Sequence, residues 1–549
     1  MRFGVQLAGE RLTHAILALA ILLLGLAHML VLPPFEGFDE IGHYASIRQV
    51  ADSGTIPFMG ESFMPQELQT YRENGPMPYA LEPPFDQNNS VTYPAFFADQ
   101  AKMDRYRGLY RDAAPRPAYT PTEVSNWQAQ HPPAYYILLA GVMKLTDGMA
   151  FTTQFFALRL FSFLLAFAGL FIGLRGSLPY LEPSVRPYVM TAGLLYPLIV
   201  PMFVPEFGRL GNDSLCLLLM SVVWVLVLRW SQDEHDTKRN LALGFCLALG
   251  LLTKAFFLPV VAGFAAFVLL RLWRGRQDKR LVKERIDDMT VLFAPSLLGL
   301  GWYMIAWVSY GSFIGDGFTA KLAQKGGLWA NLPESFSWKT FAHNLLIIPR
   351  SWVWAGTGSV VEPPRSLGAI LLLVPFGLML GYLRQMITRP WTDTALLPLW
   401  WLAPVLAGMI HHILVGLTMA RFGSTDTAPG WYLSIWAPLF ALMFAYAFSR
   451  IKRLSLWWSL LALLLAYNMI FMAYVLWGQI AVYAGCAGKG VDLTHIYPNS
   501  YLCLDQAALI LDRLSVMGWP QLSLVCAVMG FVLMGWGVIR SLRSWPHAV

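Results

Sequence analysis

Phe38-Asp39-Glu40-Ile41-Gly42-His43-Tyr44 sets two adjacent carboxylates and an imidazole just beyond Pro33-Pro34, where an apolar run from about Ala15 to Leu32 ends. That run is long enough to cross a bilayer. Charged groups held at a membrane surface beside an apolar span are costly to desolvate, so they invite a functional explanation. Asp39 or Glu40 can serve there as a general base, taking the proton of an attacking hydroxyl. Two plainer roles fit the same residues. Asp39 can N-cap a loop helix with His43 packed nearby. Glu40 and His43, three apart on a helix, can share a divalent metal ion.

A second group of charges lies near Lys254. Between Lys238-Arg239 and Arg271 run about 30 mostly apolar residues whose only charge is Lys254. Basic residues at both ends require an even number of crossings, so the run reads as a hairpin turning at Leu252-Thr253-Lys254. Arms of about 14–16 residues reach roughly 21–24 Å, short of a hydrocarbon core about 30 Å thick. Lys254 is therefore expected below the outer surface, facing an anion from the protein or from a ligand. It can bind phosphate as a point charge, with Arg209 as a bidentate partner. It can also snorkel, or pair with Glu206 or Asp213. Asn212-Asp213 reads as a helix N-cap or a substrate contact, and His131 as a ligand contact or the support of the Pro132-Pro133 turn. His411 and His412 point about 100° apart on a helix and make poor joint metal ligands.

These groups need a membrane scaffold. Of 549 residues, 56% are hydrophobic and 13% charged, and the mean hydropathy is +0.49. A soluble chain carries about a quarter charged residues. Residues 33–131 hold 13 acidic and 7 basic side chains, a net of −6, so the rest of the chain carries +13. That excess falls in short basic clusters, which the positive-inside rule assigns to the cytoplasm. No basic–aromatic array suited to nucleic acid is present. The charge pattern predicts about twelve spans with both termini cytoplasmic and the first span uncleaved. Outer loops are expected at 33–131, about 206–212, 311–366, 416–430 and 484–518, and the short segment 132–146 on the outer side. The 33–131 loop, lacking an apolar run, is expected to have no core of its own and to pack on the bundle as a lid. Cys486 and Cys503 bracket a polar outer loop and are expected to form a disulfide in an oxidising compartment.

The ordered set of Pro34 through Asp39-Glu40 and His43, then His131-Pro132-Pro133-Ala134-Tyr135-Tyr136, Arg159-Leu160, Gly211-Asn212-Asp213 and Leu252-Thr253-Lys254 resembles the GT-C superfamily of integral-membrane glycosyltransferases. That group includes protein O-mannosyltransferases and the enzymes that add aminoarabinose to lipid A. The resemblance covers roughly the first 275 residues well. In the last third it is carried by Pro429-Gly430-Trp431-Tyr432-Leu433, where relatives often have an arginine in place of Trp431.

The resemblance implies an all-α polytopic membrane protein forming a single membrane domain over residues 1–549. It implies inverting sugar transfer from a polyprenyl-phosphate-linked donor to a glycan, lipid or protein acceptor. The active site is expected at the periplasmic or exterior face of a bacterial inner membrane, acting on a cell-envelope glycan. Asp39 matches the acidic residue that such enzymes use as base, with Glu40 and His43 as its supports or a metal site. Lys254 and Arg209 become donor-phosphate contacts, and His131, Tyr135, Asn212 and Asp213 substrate contacts. The rival reading is a transporter or flippase of a lipid-linked saccharide, which also needs buried cations. The large acidic outer loop and the lack of internal repeats count against it.

Overall fold

The computed structural model describes residues 2–78, 90–112, 118–232, 236–274, 276–277, 279–353, 357–359, 365–388, 393–423, 430–449, 454–486, 503 and 505–544. Apart from one two-stranded sheet, its regular structure is helical. Among the described residues, ten helices are long and apolar enough to cross a membrane. Two further stretches are shorter. Thr237–Leu251 is a 15-residue helix. Residues 186–207 are broken into Arg186–Leu194, Tyr196–Ile199 and Phe203–Phe207. Pro197 and Pro201 lie at the breaks and explain them, since each lacks the N–H that a continuous helix needs. The protein is an all-α integral membrane protein.

The expected hairpin is present. Thr237–Leu251 and Phe257–Arg274 flank a turn that carries Lys254, and the residue is buried. The first helix, Arg2–Val31, packs along Pro520–Ser544, joining the two ends of the chain. Phe151–Ser177 packs on Asp213–Trp230, and Thr237–Leu251 on Lys279–Tyr310. Ala134–Leu145 is apolar but only 12 residues long, and the Ala134 N–H donates to the Leu252 carbonyl at 2.9 Å. That bond ties the end of the 33–131 loop to the Lys254 turn.

The 33–131 loop packs on the bundle and shares its core. Helix Glu40–Ser53 is buried over most of its length. Strands Phe63–Pro65 and Pro121–Ser125 pair antiparallel. Phe35, Tyr71, Tyr106 and Tyr110 cluster with Phe151 and Phe155 of the following helix, with centroids such as Phe35–Tyr71 at 4.8 Å and Tyr110–Phe151 at 5.4 Å. These rings are scattered singly through a polar segment, so no apolar run betrays them. Burying large rings in edge-on contact supplies the apolar area that the segment lacks locally.

Candidate active site

The turn between the first helix and Glu40 positions the acidic residues. Phe35 and Asp39 adopt φ of 68° and 60°, the only non-glycine residues with positive φ among those described. Such conformations cost about 1–3 kcal/mol each and persist where surrounding contacts over-determine them. Asp tolerates the left-handed region better than most residues. Gly37 lies between them, where a Cβ would come within 2.5 Å of both Arg209 Cβ and Glu40 Cδ. No larger residue fits.

Glu40 is fully buried, and its two oxygens accept four N–H bonds. Oε1 accepts from Arg159 Nε at 2.7 Å and Leu210 N at 2.9 Å. Oε2 accepts from Arg159 Nη2 at 2.6 Å and Gly37 N at 3.0 Å. The rest of the Arg159 fork donates to the Leu32 and Pro33 carbonyls at 2.5 and 2.7 Å, closing the end of the first helix. A carboxylate held this way has no lone pair left for a substrate proton or a metal ion. Glu40 is thus an anchor, and the metal reading of Glu40 with His43 does not fit this donor set. Among the described residues, no group of three or more His, Cys, Asp or Glu is arranged to hold a metal.

Asp39, one residue earlier, is different. It is partly exposed and makes no N-capping bond, contrary to the plainer sequence reading. Among the described residues no hydrogen bond or ion pair engages its carboxylate. Arg209 lies within its electrostatic reach, and the Arg209 guanidinium is held strongly protonated by Glu206, Asp213 and Asp39 against the effect of burial.

His43 belongs to another network. Its Nδ1 is 3.0 Å from Tyr136 Oη, and that hydroxyl donates to the Gln128 carbonyl at 3.2 Å. The hydroxyl proton being used there, Nδ1–H is assigned as the donor to Tyr136. The His43 ring stacks on His131 with centroids 6.0 Å apart. Burial pushes the His43 imidazole well below its ordinary value, reinforced by His131, Arg209 and Lys254. His131 is lowered to about 3 by burial and by Lys254, with Asp213 opposing. Both rings are neutral at ordinary pH.

The remaining charges form a compact, balanced cluster. Lys254 Nζ donates to both oxygens of Asp213 at 2.9 and 2.8 Å. Arg209 Nη2 donates to Glu206 Oε1 at 2.7 Å and lies 3.7 Å from Asp213 Oδ2, while Nη1 donates to the Phe38 carbonyl at 2.8 Å. The anion that the sequence requires for Lys254 is therefore Asp213. Lys254 also lies over the Phe256 ring, 4.5 Å from its centroid. Asn212 occupies the N-cap position of Asp213–Trp230 without a capping bond. Its Nδ2 donates to the Thr253 carbonyl at 3.3 Å, and its Oδ1 is buried with no hydrogen-bond partner among the described residues. Tyr135 Oη accepts from Gly211 N at 3.1 Å and meets Ser162 Oγ at 2.7 Å, so it braces the cluster.

Sequence reasoning did not assign two groups. Arg159 is the only charge in the apolar stretch 151–174, a signal of function or pairing that was there to be read. Glu36 is fully buried and accepts from neutral donors: Tyr93 Oη at 2.6 Å, Thr357 Oγ1 at 3.0 Å, and Ser359 N and Oγ at 3.0 and 2.5 Å. Burial raises its carboxyl above the ordinary range, and these hydrogen bonds offset part of the shift. No local pattern marks Glu36, because its partners lie more than 50 residues away. Elsewhere, Cys486 and Cys503 are joined with Cα atoms 5.4 Å apart. The loop between them, at 487–502, lies outside the described residues. The His412 ring packs against Tyr432 at 5.9 Å.

Asp39, Arg209, Lys254, His43, His131, Tyr135, Asn212 and Asp213 thus gather at one end of the bundle, bridged by Phe38, Tyr136 and Leu252. A free carboxylate beside paired cations can accept a proton while the cations stabilise an anionic leaving group.

No curated protein matches the chain in sequence. Among solved structures, ArnT from Cupriavidus metallidurans in the apo state matches at 12% identity and a TM-score of 0.44, covering 96% of this chain and 76% of that one. The same protein bound to undecaprenyl phosphate matches at 13% identity and 0.45, covering 96% and 77%. The arabinosyltransferase EmbB from Mycobacterium smegmatis matches at 13% identity and 0.38, covering 98% of this chain and 41% of that one. Residues 22–356 match the family described as predicted membrane protein (DUF2142), and the chain belongs to that family.

Proposed function

We propose that this protein is a glycosyltransferase that moves a sugar from a polyprenyl-phosphate-linked donor to an acceptor hydroxyl at the outer face of a bacterial inner membrane. The observation that carries the reading is the contrast inside one loop: Asp39 is left open while its neighbours Glu36 and Glu40 are saturated. Asp39 takes the acceptor proton as the hydroxyl oxygen attacks the anomeric carbon from the face opposite the phosphate. The anomeric C–O bond breaks, and the polyprenyl phosphate leaves with the electron pair. Transfer inverts the anomeric centre. Arg209 and Lys254 receive the leaving phosphate, each exchanging part of its carboxylate pairing for a phosphate oxygen. Two cations close to the leaving oxygen lower the barrier because charge develops there in the transition state. The neutral rings of His43 and His131, with Tyr135 and Asn212, shape the polar wall beside them.

The test is incubation of purified full-length protein in detergent with a radiolabelled polyprenyl-phosphate monosaccharide and a membrane extract as acceptor source. Label leaving the polyprenyl phosphate for a second product is the expected result. Label crossing a liposome bilayer with its sugar–phosphate bond intact, and no new product, contradicts transfer and favours a flippase.

A further inference from the structure

Asp39 opens beside a pair of aromatic rings that the chemistry above leaves unused. Phe38 and Trp431 are both partly exposed, with centroids 5.6 Å apart. Each sits on a pinned backbone. The Phe38 carbonyl accepts from Arg209 Nη1 at 2.8 Å, and the next residue is locked in the left-handed conformation. Gly430, preceding Trp431, donates its N–H to Ser351 Oγ at 2.5 Å and accepts from Trp352 Nε1 at 3.2 Å. A Cβ on Gly430 would lie 2.1 Å from the Ile348 carbonyl oxygen, so only glycine permits this approach. Two segments nearly 400 residues apart are thus fixed so that their rings meet at the residue that precedes Asp39.

The following residue divides the site. Tyr432 stands perpendicular to Trp431, with ring planes at 87°. Tyr432 packs on Phe256 at 4.8 Å, and Lys254 Nζ lies 5.7 Å from its centroid. Tyr432 therefore walls the cation cluster, while Trp431 meets Phe38, the residue before Asp39. Aromatic faces carry negative quadrupole density and attract polarised C–H groups. Recognition sites combine such apolar rings with a few convergent polar groups.

The geometry points to Trp431 and Phe38 as a stacking platform for a pyranose ring of the acceptor, so that the acceptor is a neutral saccharide presented to Asp39. This rests on the reading of Asp39 as the base. Trp431 holds the C–H face of the sugar and leaves a ring hydroxyl turned toward the carboxylate, while the donor phosphate lies on the Lys254 side of Tyr432.

The experiment is saturation-transfer NMR on full-length protein in nanodiscs, with methyl α-D-mannoside, methyl β-D-glucoside, methyl β-D-galactoside and their disaccharides as probes. Wild-type protein and Asp39→Asn are expected to saturate the ring C–H protons of one face of at least one probe. Trp431→Ala is expected to lower that signal at least five-fold, and Trp431→Tyr, which keeps a ring, to restore most of it. Undecaprenyl phosphate is expected not to displace the probe. No signal with any probe in wild type, or equal signal in a folded Trp431→Ala, overturns the platform. Displacement by undecaprenyl phosphate overturns its assignment to the acceptor. Stacking that depends on Trp431, in a protein whose Asp39→Asn variant transfers sugar normally, would sink the base and leave the platform standing.

Discussion

In the turn before helix Glu40–Ser53, three carboxylates fall within five residues, with no basic residue among them; in the cluster of Glu206, Arg209, Asp213 and Lys254, two carboxylates meet two cations. The turn resolves its excess of negative charge by sending each acid to a different partner. Glu40 takes a guanidinium from another helix, Glu36 takes hydroxyls and an N–H, and Asp39 takes no hydrogen bond or ion pair among the described residues. The cluster neutralises itself internally. A group left open among satisfied neighbours can exchange a proton with a substrate at little structural cost. A balanced cluster instead stores preorganised charge, which a phosphate can enter only by competing for it.

The largest effect should follow from breaking the anchor. Arg159→Met strands a fully buried carboxylate, which costs about 3–5 kcal/mol of stability. Thermal unfolding in detergent would register this as a collapse of the melting temperature. Restoring apolar balance with Glu40→Met beside Arg159→Met should recover much of the loss. A stable Arg159→Met single variant would show that the turn is not held by this pair.

Lys254→Met should act less on stability and more on ligand. Asp213 keeps Arg209 at 3.7 Å, so the loss is about 2 kcal/mol, the range of a hydrogen bond to a charged group. Undecaprenyl phosphate affinity, measured by titration calorimetry, should fall at least ten-fold. Unchanged affinity would remove Lys254 from the phosphate site and leave it as scaffold.

The stacked histidines give a pH signature of about 1 kcal/mol each at half a unit below pH 6.5. Their native-state values lie below 6.5, so the unfolded chain binds the extra protons and stability falls as the pH drops from about 6.5 toward 3. His43→Gln and His131→Gln should each flatten the acid limb of a melting-temperature profile. An unaltered limb would mean that neither ring is buried as described.

The smallest effect is expected at Glu36. Its native-state value is raised, so its contribution to stability is present below about pH 4.5 and fades as the pH rises through the native value. Glu36→Gln, neutral throughout, should stay within about 1 kcal/mol of wild type, the net worth of one hydrogen bond. It should also lose that fading on the alkaline side. A far larger loss would show that Glu36 works as an ionised group.

The sequence made parts of this legible for physical reasons. Apolar runs and basic clusters report crossings, so the hairpin at Lys254 and its buried position followed from arm length alone. Lys254 in an apolar run also announced a partner, and Asp213 was among those named. The roles within Asp39-Glu40-His43 were not legible, because adjacency says nothing of which carboxylate a distant arginine will claim. Glu40 was read as an alternative base, a support or a metal ligand, yet it is claimed by Arg159, 119 residues away. The lid's share of the core was hidden because its rings are dispersed through a polar segment; the crossing over 186–207 was implied by the charge pattern, but not its division into three short helices.

The central claim is that two neighbouring carboxylates divide the work, Glu40 holding the turn and Asp39 doing the chemistry. The most direct measurement is the rate of label transfer by Asp39→Asn against wild type, at matched folded fraction and donor occupancy. A fall of roughly 10²–10⁴-fold, typical for loss of a positioned general base, with an unchanged melting temperature is the expected result. Turnover within a few-fold of wild type would contradict it and return the open carboxylate to the status of a surface residue.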